Sequence, residues 1–266
     1  MLEPGTFHLL NVFTGQNALG NPCCVLFLDD LQDSHRLHGI AKNFNQPATA
    51  FVRNRGEGEV DIRWFAPESE IDLCGHGALA ATKVILAGNP AQDSLVMHYG
   101  DGQLEGRREG RQVSISGDAI PCNEAAIPDW LTGGFGESVI GYYPSVNKHV
   151  VVVREENAVV SMQPNWKPLI ASGVFSFAVT ARSKNEEVDF VSRVFLPQLD
   201  MKEDQATGSA HMVLAPYWSK VLEKDQLNAF QASARGGRMK CEVMDDRVKL
   251  TAACTRFGEG RMKEEA

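Results

Sequence analysis

Two short stretches of the chain gather side chains that can handle protons: "DLCGHG" at 72–77 and "EDQATGSAH" at 203–211. The first sets a thiol, Cys74, two residues before an imidazole, His76, with Gly75 and Gly77 interleaved. The second sets a carboxyl group, Asp204, shortly before Thr207, Gly208 and Ser209. Cysteine, histidine and aspartate are the types that general acid–base and nucleophilic catalysis draw on. Small residues at a helix start let backbone N–H groups reach an anion, and the same partial positive charge suits an anionic side chain.

Both stretches follow the same lead-in. Arg63, Phe65 and Pro67 are matched by Arg193, Phe195 and Pro197 at an offset of 130 (193 − 63). Cys74 lies seven residues after Pro67, and Asp204 seven after Pro197, which keeps that offset. Upstream, Asn21 and Asn147 each precede a strand, at an offset of 126 (147 − 21). Two copies at this period predict two duplicated domains rather than a solenoid. Packed about a pseudo-dyad, such domains bring equivalent loops face to face. Cys74 and Asp204 are then expected on opposite sides of one cleft, each at a helix start. One group would remove a proton from the carbon beside a carboxylate, the other could return one, and helix N–H groups would steady the enolate-like charge.

The elements that must position these residues are legible as alternating apolar runs broken by turn residues. Strands are predicted over 7–13, 22–28, 48–54 and 59–65, and a helix within 31–44. Residues 75–88 read as a helix closed by Gly88-Asn89-Pro90, followed by strands over 94–100, 103–110 and 111–117. Residues 118–137, with Pro121, Pro128 and Gly133-Gly134, read as a linker, giving domains 1–117 and 118–266, the last strand free to pack back on the first domain. The second cycle predicts strands over 147–153, 174–183 and 187–195, a helix over 207–224 that Pro216 could kink, and closing strands over 229–237, 238–244 and 247–254.

Composition narrows the classes. The chain has 266 residues, 43% hydrophobic and 23% charged, with a net charge of −8. That argues against binding nucleic acid or an anionic membrane, which would need a basic face. No apolar run reaches membrane-spanning length, and the start of the chain lacks the basic and small-residue features of a secretion signal. Six cysteines without a CxxC pair are expected as reduced thiols in a cytoplasmic protein. An exposed sheet edge would let two copies pair as a homodimer.

Each candidate also has a plainer role. Asp204 could be an exposed acid or a helix cap, Cys74 a small buried hydrophobe, and His76 a core or capping histidine. Thr207 and Ser209 could simply cap a helix, and Arg235 could lie on a hairpin surface. The C-x-H spacing is not a zinc pattern and no second pair completes four ligands, so no metal is expected. A Cys74-centred hydrolase lacks a separate histidine with its orienting acid.

At these residues the chain resembles the PhzF-like phenazine-biosynthesis family, within the diaminopimelate-epimerase-like fold superfamily. "VFTGQNALGNPCCVLF" (12–27) is similar to the family's opening, "FAPESEIDLCGHGALAA" (65–81) to its second signature, and "EDQATGSAH" to its third. The resemblance implies an α+β fold of two similar domains, each a mainly antiparallel sheet around a central helix. It also implies an interdomain cleft that shifts protons without metal or organic cofactor. Carried over by position, His76, Asp204 and Ser209 line the site, and Gly75, Thr207 and Gly208 cradle the substrate; Gly77 and Asn21 are further candidates to bind it. Cys74 stands where epimerase relatives keep a catalytic cysteine. One position departs: the family's glutamate base, in a Ser-Glu-Thr type motif, aligns with Ala48 in "NQPATAFV". The resulting expectation is an isomerase or epimerase of a small carboxylate or amino-acid-like substrate. The alternative is a catalytically silent member that binds a small acid or a partner.

Overall fold

The computed structural model describes residues 3–146 and 148–263, so Asn147 of the predicted repeat lies outside the described residues. The chain divides into two compact units, residues 1–117 with 249–266, and residues 118–248.

In the first unit β1 (Thr6–Thr14) pairs antiparallel with β2 (Asn21–Phe27), and helix α1 (Ser34–Phe44) crosses to β3 (Thr49–Gly56), which is parallel to β2. Strands β4 (Glu59–Phe65) and β5 (Glu70–Ile71) precede helix α2 (Gly75–Gly88), then β6 (Ser94–Tyr99), β7 (Gly102–Glu109) and β8 (Gln112–Asp118) follow. The second unit holds α3 (Asp129–Phe135), β9 (Val139–Tyr143), β10 (His149–Val153), α4 (Glu156–Val160), α5 (Trp166–Ala171), β11 (Phe177–Arg182) and β12 (Phe190–Phe195). It continues through β13 (Glu203–Asp204), α6 (Gly208–Leu222), β14 (Gln226–Gln231) and β15 (Gly237–Met244). The last strand, β16 (Arg247–Arg261), begins at the end of the second unit and continues into the first, where it pairs antiparallel with β1.

The first unit's strands run in the order β1-β2-β3-β4-β6-β7-β8, and β16 neighbours both β8 and β1, so the sheet closes on itself. Helix α2 packs against β1, β2, β3, β6 and β7. Its sequence explains that placement, because it carries no polar face: Ala78, Leu79, Ala80, Ala81, Val84 and Leu86 are all buried. A helix apolar on every side belongs inside a core, and burying each of its larger side chains contributes about 2 kcal/mol. Helix α6 is likewise buried from Ala210 to Ala215 and packs on β14 and β15; it continues through Pro216. A separate core forms where α1 covers the other side of the first sheet, with Leu37 and Ala41 against Cys24, Leu26, Phe51 and Phe65.

The Arg-x-Phe-x-Pro repeat proves to be the same local device in both units. Arg63 forms a fork with both carboxylate oxygens of Glu70, and its remaining nitrogen reaches the Leu31 carbonyl. Arg193 grips Glu203 in the same way and reaches the Met162 carbonyl at 2.8 Å. Each guanidinium lies over the phenylalanine two residues on, 5.1 Å from the Phe65 ring centre and 4.8 Å from that of Phe195. Residues i and i+2 share a strand face, which is why the motif skips one position. Planar, bidentate pairing is a property of arginine rather than lysine.

The Arg193–Glu203 pair is the less solvated, its side chains 12% and 20% exposed against 24% and 42% for Arg63–Glu70. Arg193→Met is therefore expected to cost about 2–3 kcal/mol, because it strands a partly buried carboxylate. Arg63→Met should cost about 1 kcal/mol. Urea midpoints of the two variants check this, and equal losses would contradict it.

The predicted linker is structured. Residues 129–135 form α3, with Leu131 and Phe135 in the second unit's core, and β9 follows. The glycine pair that suggested a loop is there for packing: a Cβ on Gly134 would lie 2.4 Å from Leu169 Cδ2. The expected strand at 229–237 is instead β14 ending at Gln231, a turn, and β15 starting at Gly237.

Candidate functional site

Helix α2 opens at Cys74, which is extended (φ −121, ψ 96) and caps the helix by accepting the Gly77 N–H on its sulfur at 3.4 Å. The same sulfur lies 3.3 Å from His76 Nδ1, and both side chains are buried. Thiol and imidazole are thus within reach of a shared proton, beside helix N–H groups that favour negative charge. Gly77 is required by what covers it: a Cβ there would meet Trp64 Cδ1 at 2.5 Å and the Cys74 sulfur at 3.1 Å. The Trp64 indole N–H, buried and without a hydrogen-bond partner among the described residues, lies in the same place. Sequence reading passed over Trp64 because a tryptophan in an apolar strand reads as core.

Asn21, fully buried, opens β2 opposite Val12. Ala48 immediately precedes β3, is fully buried, and accepts the Cys24 N–H on its carbonyl at 3.0 Å. Val25, Ala50 and Trp64 are register partners across β2, β3 and β4. Strand alternation places Cys23 and Ala48 on that same side of the sheet. The position at which the family resemblance implies a glutamate is therefore a fully buried methyl group.

Helix α6 opens at Thr207, whose backbone (φ −121, ψ 99) nearly repeats that of Cys74. Its hydroxyl does not cap its own helix; it donates to Asp204 Oδ2 at 2.6 Å. Asp204 itself is half-buried in β13, paired with Val194, three residues ahead of the cap. Gly208 is buried and Ser209 half-buried in the first turn.

This placement corrects the pairing inferred from spacing. The offset of 130 holds for arginine, phenylalanine and proline, but the loop after Pro197 is three residues longer than that after Pro67. The matched glutamates then differ by 133 (203 − 70) and the helix caps by 133 (207 − 74). Thr207, not Asp204, is the counterpart of Cys74, and Asp204 corresponds to Ile71. Asp204 and Cys74 both adjoin a helix start, but from different positions of the same motif.

The sequence profile of the phenazine biosynthesis-like (PhzC-PhzF) family matches residues 10–260. The chain belongs to that family.

Relatives of this PhzF-family protein agree with the assignment. An uncharacterized isomerase of Pseudomonas aeruginosa is 36% identical over 97% of this chain and 98% of its own. A PhzF-family protein of Enterococcus faecalis superposes with a TM-score of 0.88 at 30% identity, covering 97% of this chain and 98% of that one. The fold extends further, to a hydroxyproline epimerase of Agrobacterium vitis with a TM-score of 0.61 at 10% identity over 98% and 93% of the two chains.

Elsewhere in this PhzF-family protein, a concavity of about 380 Å³ is lined by Arg53, Arg55, Asp61 and Arg63 on the first unit. Its arginines are engaged by Asp61 and Glu70, so it reads as a solvated polar face. Among the described residues no three His, Cys, Asp or Glu side chains gather as metal ligands, and no helix is long and apolar enough to cross a membrane.

His211 lies behind the Thr207 turn, fully buried, with Nδ1 2.8 Å from the Thr207 carbonyl and its ring stacked on Phe190. Burial pushes its pKa down to about 4. The native state therefore holds His211 neutral where the unfolded chain, near 6.5, takes up a proton. Stability should fall as pH drops through the window from about 6.5 to about 4, by about 2 kcal/mol at pH 5 relative to pH 7. His211→Gln should lose that part of the pH dependence in urea titrations. An unchanged slope would place the titration elsewhere.

Proposed function

We propose that this protein is a cofactor-independent isomerase or epimerase of a small carboxylate, amino-acid-like or cyclic. Asp204 serves as one acid/base group and Cys74, paired with His76, as the opposing one. The two helix starts would act on one substrate from opposite faces, as two repeat domains, residues 1–117 with 249–266 and residues 118–248, related by a pseudo-dyad would allow. The matched Arg–Glu clamps and the near-identical backbone at Cys74 and Thr207 support the duplication on which that picture rests. Free thiols suit a reducing, cytoplasmic compartment.

The observation that carries the reading is the contrast between two sites. At Ala48, where a carboxylate base would stand, there is a buried methyl group. At Cys74 there is a thiol already bound by Gly77 N–H and His76 Nδ1. A thiolate so held is a competent base for an α-proton. The substrate carboxylate would lie against the N–H groups of Gly75, Gly208 and Ser209, with Gly77 and Asn21 beside it.

Incubation in D₂O with a panel of amino acids and of cyclic or unsaturated carboxylic acids tests this by NMR. Exchange at the α or allylic carbon is expected with the wild-type protein. It should fall about 100-fold in Cys74→Ala. Full exchange in that variant would remove Cys74 from the reaction. No exchange with any panel member would contradict the proton-transfer reading and leave a ligand-binding role.

A further inference from the structure

Gln231, the last residue of β14, is fully buried, and every group of its side-chain amide is spoken for by the Asp204–Thr207 turn. Its oxygen accepts the Thr207 N–H at 2.8 Å. Its nitrogen donates to the Asp204 carbonyl at 2.7 Å and to the Thr207 hydroxyl oxygen at 3.2 Å. The amide cannot be turned over, since that would set donor against donor at Thr207 N and acceptor against acceptor at Asp204 O. The Thr207 hydroxyl, already receiving a hydrogen from Gln231, is left to point its own at Asp204 Oδ2, 2.6 Å away.

We infer that Gln231 is a positioning residue for the proton-transfer reaction. It acts through Thr207 to fix the orientation of the Asp204 carboxylate. This rests on the role proposed above for Asp204. The hydrogen-bond direction runs one way, from the Gln231 amide to the Thr207 hydroxyl to the Asp204 carboxylate. One oxygen of Asp204 is thereby committed to Thr207, which holds the carboxylate plane. It also explains why Thr207 fails to cap α6. Its hydroxyl is turned back onto Asp204, so the first-turn N–H groups of α6 receive no side-chain cap from it. A buried amide meeting all its partners is rigid as well as satisfied, and misplacing a catalytic group by about 1 Å can cost about 100-fold in rate.

A double-variant cycle tests the inference. Gln231→Met keeps the length and removes the amide, Thr207→Val keeps the shape and removes the hydroxyl, and the third protein carries both. Exchange in D₂O should fall about 100-fold in Gln231→Met. It should fall similarly in Thr207→Val and no further in the double variant, because both break one chain of bonds. Losses that multiply, or a Gln231→Met rate equal to wild type, would overturn the inference. The conservative Gln231→Glu, which at low pH regains a donor, should recover activity on acidification where Gln231→Met does not. If the wild-type protein exchanges no panel member, the failure belongs to the proton-transfer reading. The cycle is then read on the ¹³C chemical shift of the Asp204 carboxyl group at neutral pH. Both single variants should displace it from its wild-type position, since Thr207→Val removes the hydroxyl bonded to Oδ2 and Gln231→Met frees that hydroxyl to turn away. The double variant should match Thr207→Val. Four coincident resonances would overturn the inference on their own.

Discussion

Asp204→Asn is expected to slow proton exchange on substrate by about 100- to 10,000-fold while the fold stays intact. Asparagine keeps the shape and an oxygen to accept the Thr207 hydroxyl, and the backbone carbonyl that Gln231 holds is untouched. Asparagine lacks an atom that takes up a proton at neutral pH. The change therefore removes the chemistry and leaves the geometry standing, and stability should shift by no more than about 1 kcal/mol. Exchange kinetics and a urea midpoint, measured on one preparation, separate the two effects. Exchange at the wild-type rate would show that Asp204 is a bystander. A collapse of stability would show that its role lies in the turn itself.

Gly20→Ala should be the most damaging substitution to the fold near the site, at about 3–4 kcal/mol. Gly20 has a φ of +73°, and a Cβ there would lie 2.1 Å from the Val12 carbonyl oxygen and 2.9 Å from its carbon. The left-handed backbone costs alanine about 1–2 kcal/mol, and overpacking against backbone adds about 1–3 more. Backbone cannot step aside as a side-chain tip can. Beside it, Phe13 is itself left-handed (φ 67) at an irregularity in the β1–β16 pairing, so the Val12 carbonyl is fixed by a bulge. Any shift would pass directly to Asn21 and to the strands that flank α2. Gly110→Ala is the control: its φ is +62° but nothing lies within 4 Å of the added carbon. That variant should lose only about 1 kcal/mol, and equal losses at the two glycines would contradict the steric account.

Much of the architecture was legible because it is written in periodicity. The strands around 7–13, 22–28 and 59–65 alternate, and α2 and α6 stand out as apolar runs too long for strands. What failed to show was structure held by contacts distant in sequence. Helix α3 is short, glycine-rich and flanked by proline, and forms because Leu131 and Phe135 complete a core with β11 and β12. The two-residue strands β5 and β13 carry no pattern of their own; the arginine forks hold them. The three extra residues before Glu203 look like nothing in the sequence, yet they shift the match from Asp204 to Thr207. Cys74, His76, Asp204 and Thr207 could be picked out from type and spacing. Gln231 could not, since a lone glutamine ending a strand has no signature until the turn it supports is seen.

The most direct test of a two-sided proton transfer is the placement of deuterium at early conversion. One enantiomer of the acid that exchanges in the panel is incubated with the protein in D₂O, and substrate and product are separated before equilibrium. If Asp204 and Cys74 act from opposite faces, the proton taken by one is not the one returned by the other. The product should then carry deuterium at the reacting carbon while recovered substrate remains protiated. Protium retained in the product, or deuterium appearing in recovered substrate at the same rate, would mean that a single group works on one face, and would contradict the pairing of Cys74 with Asp204.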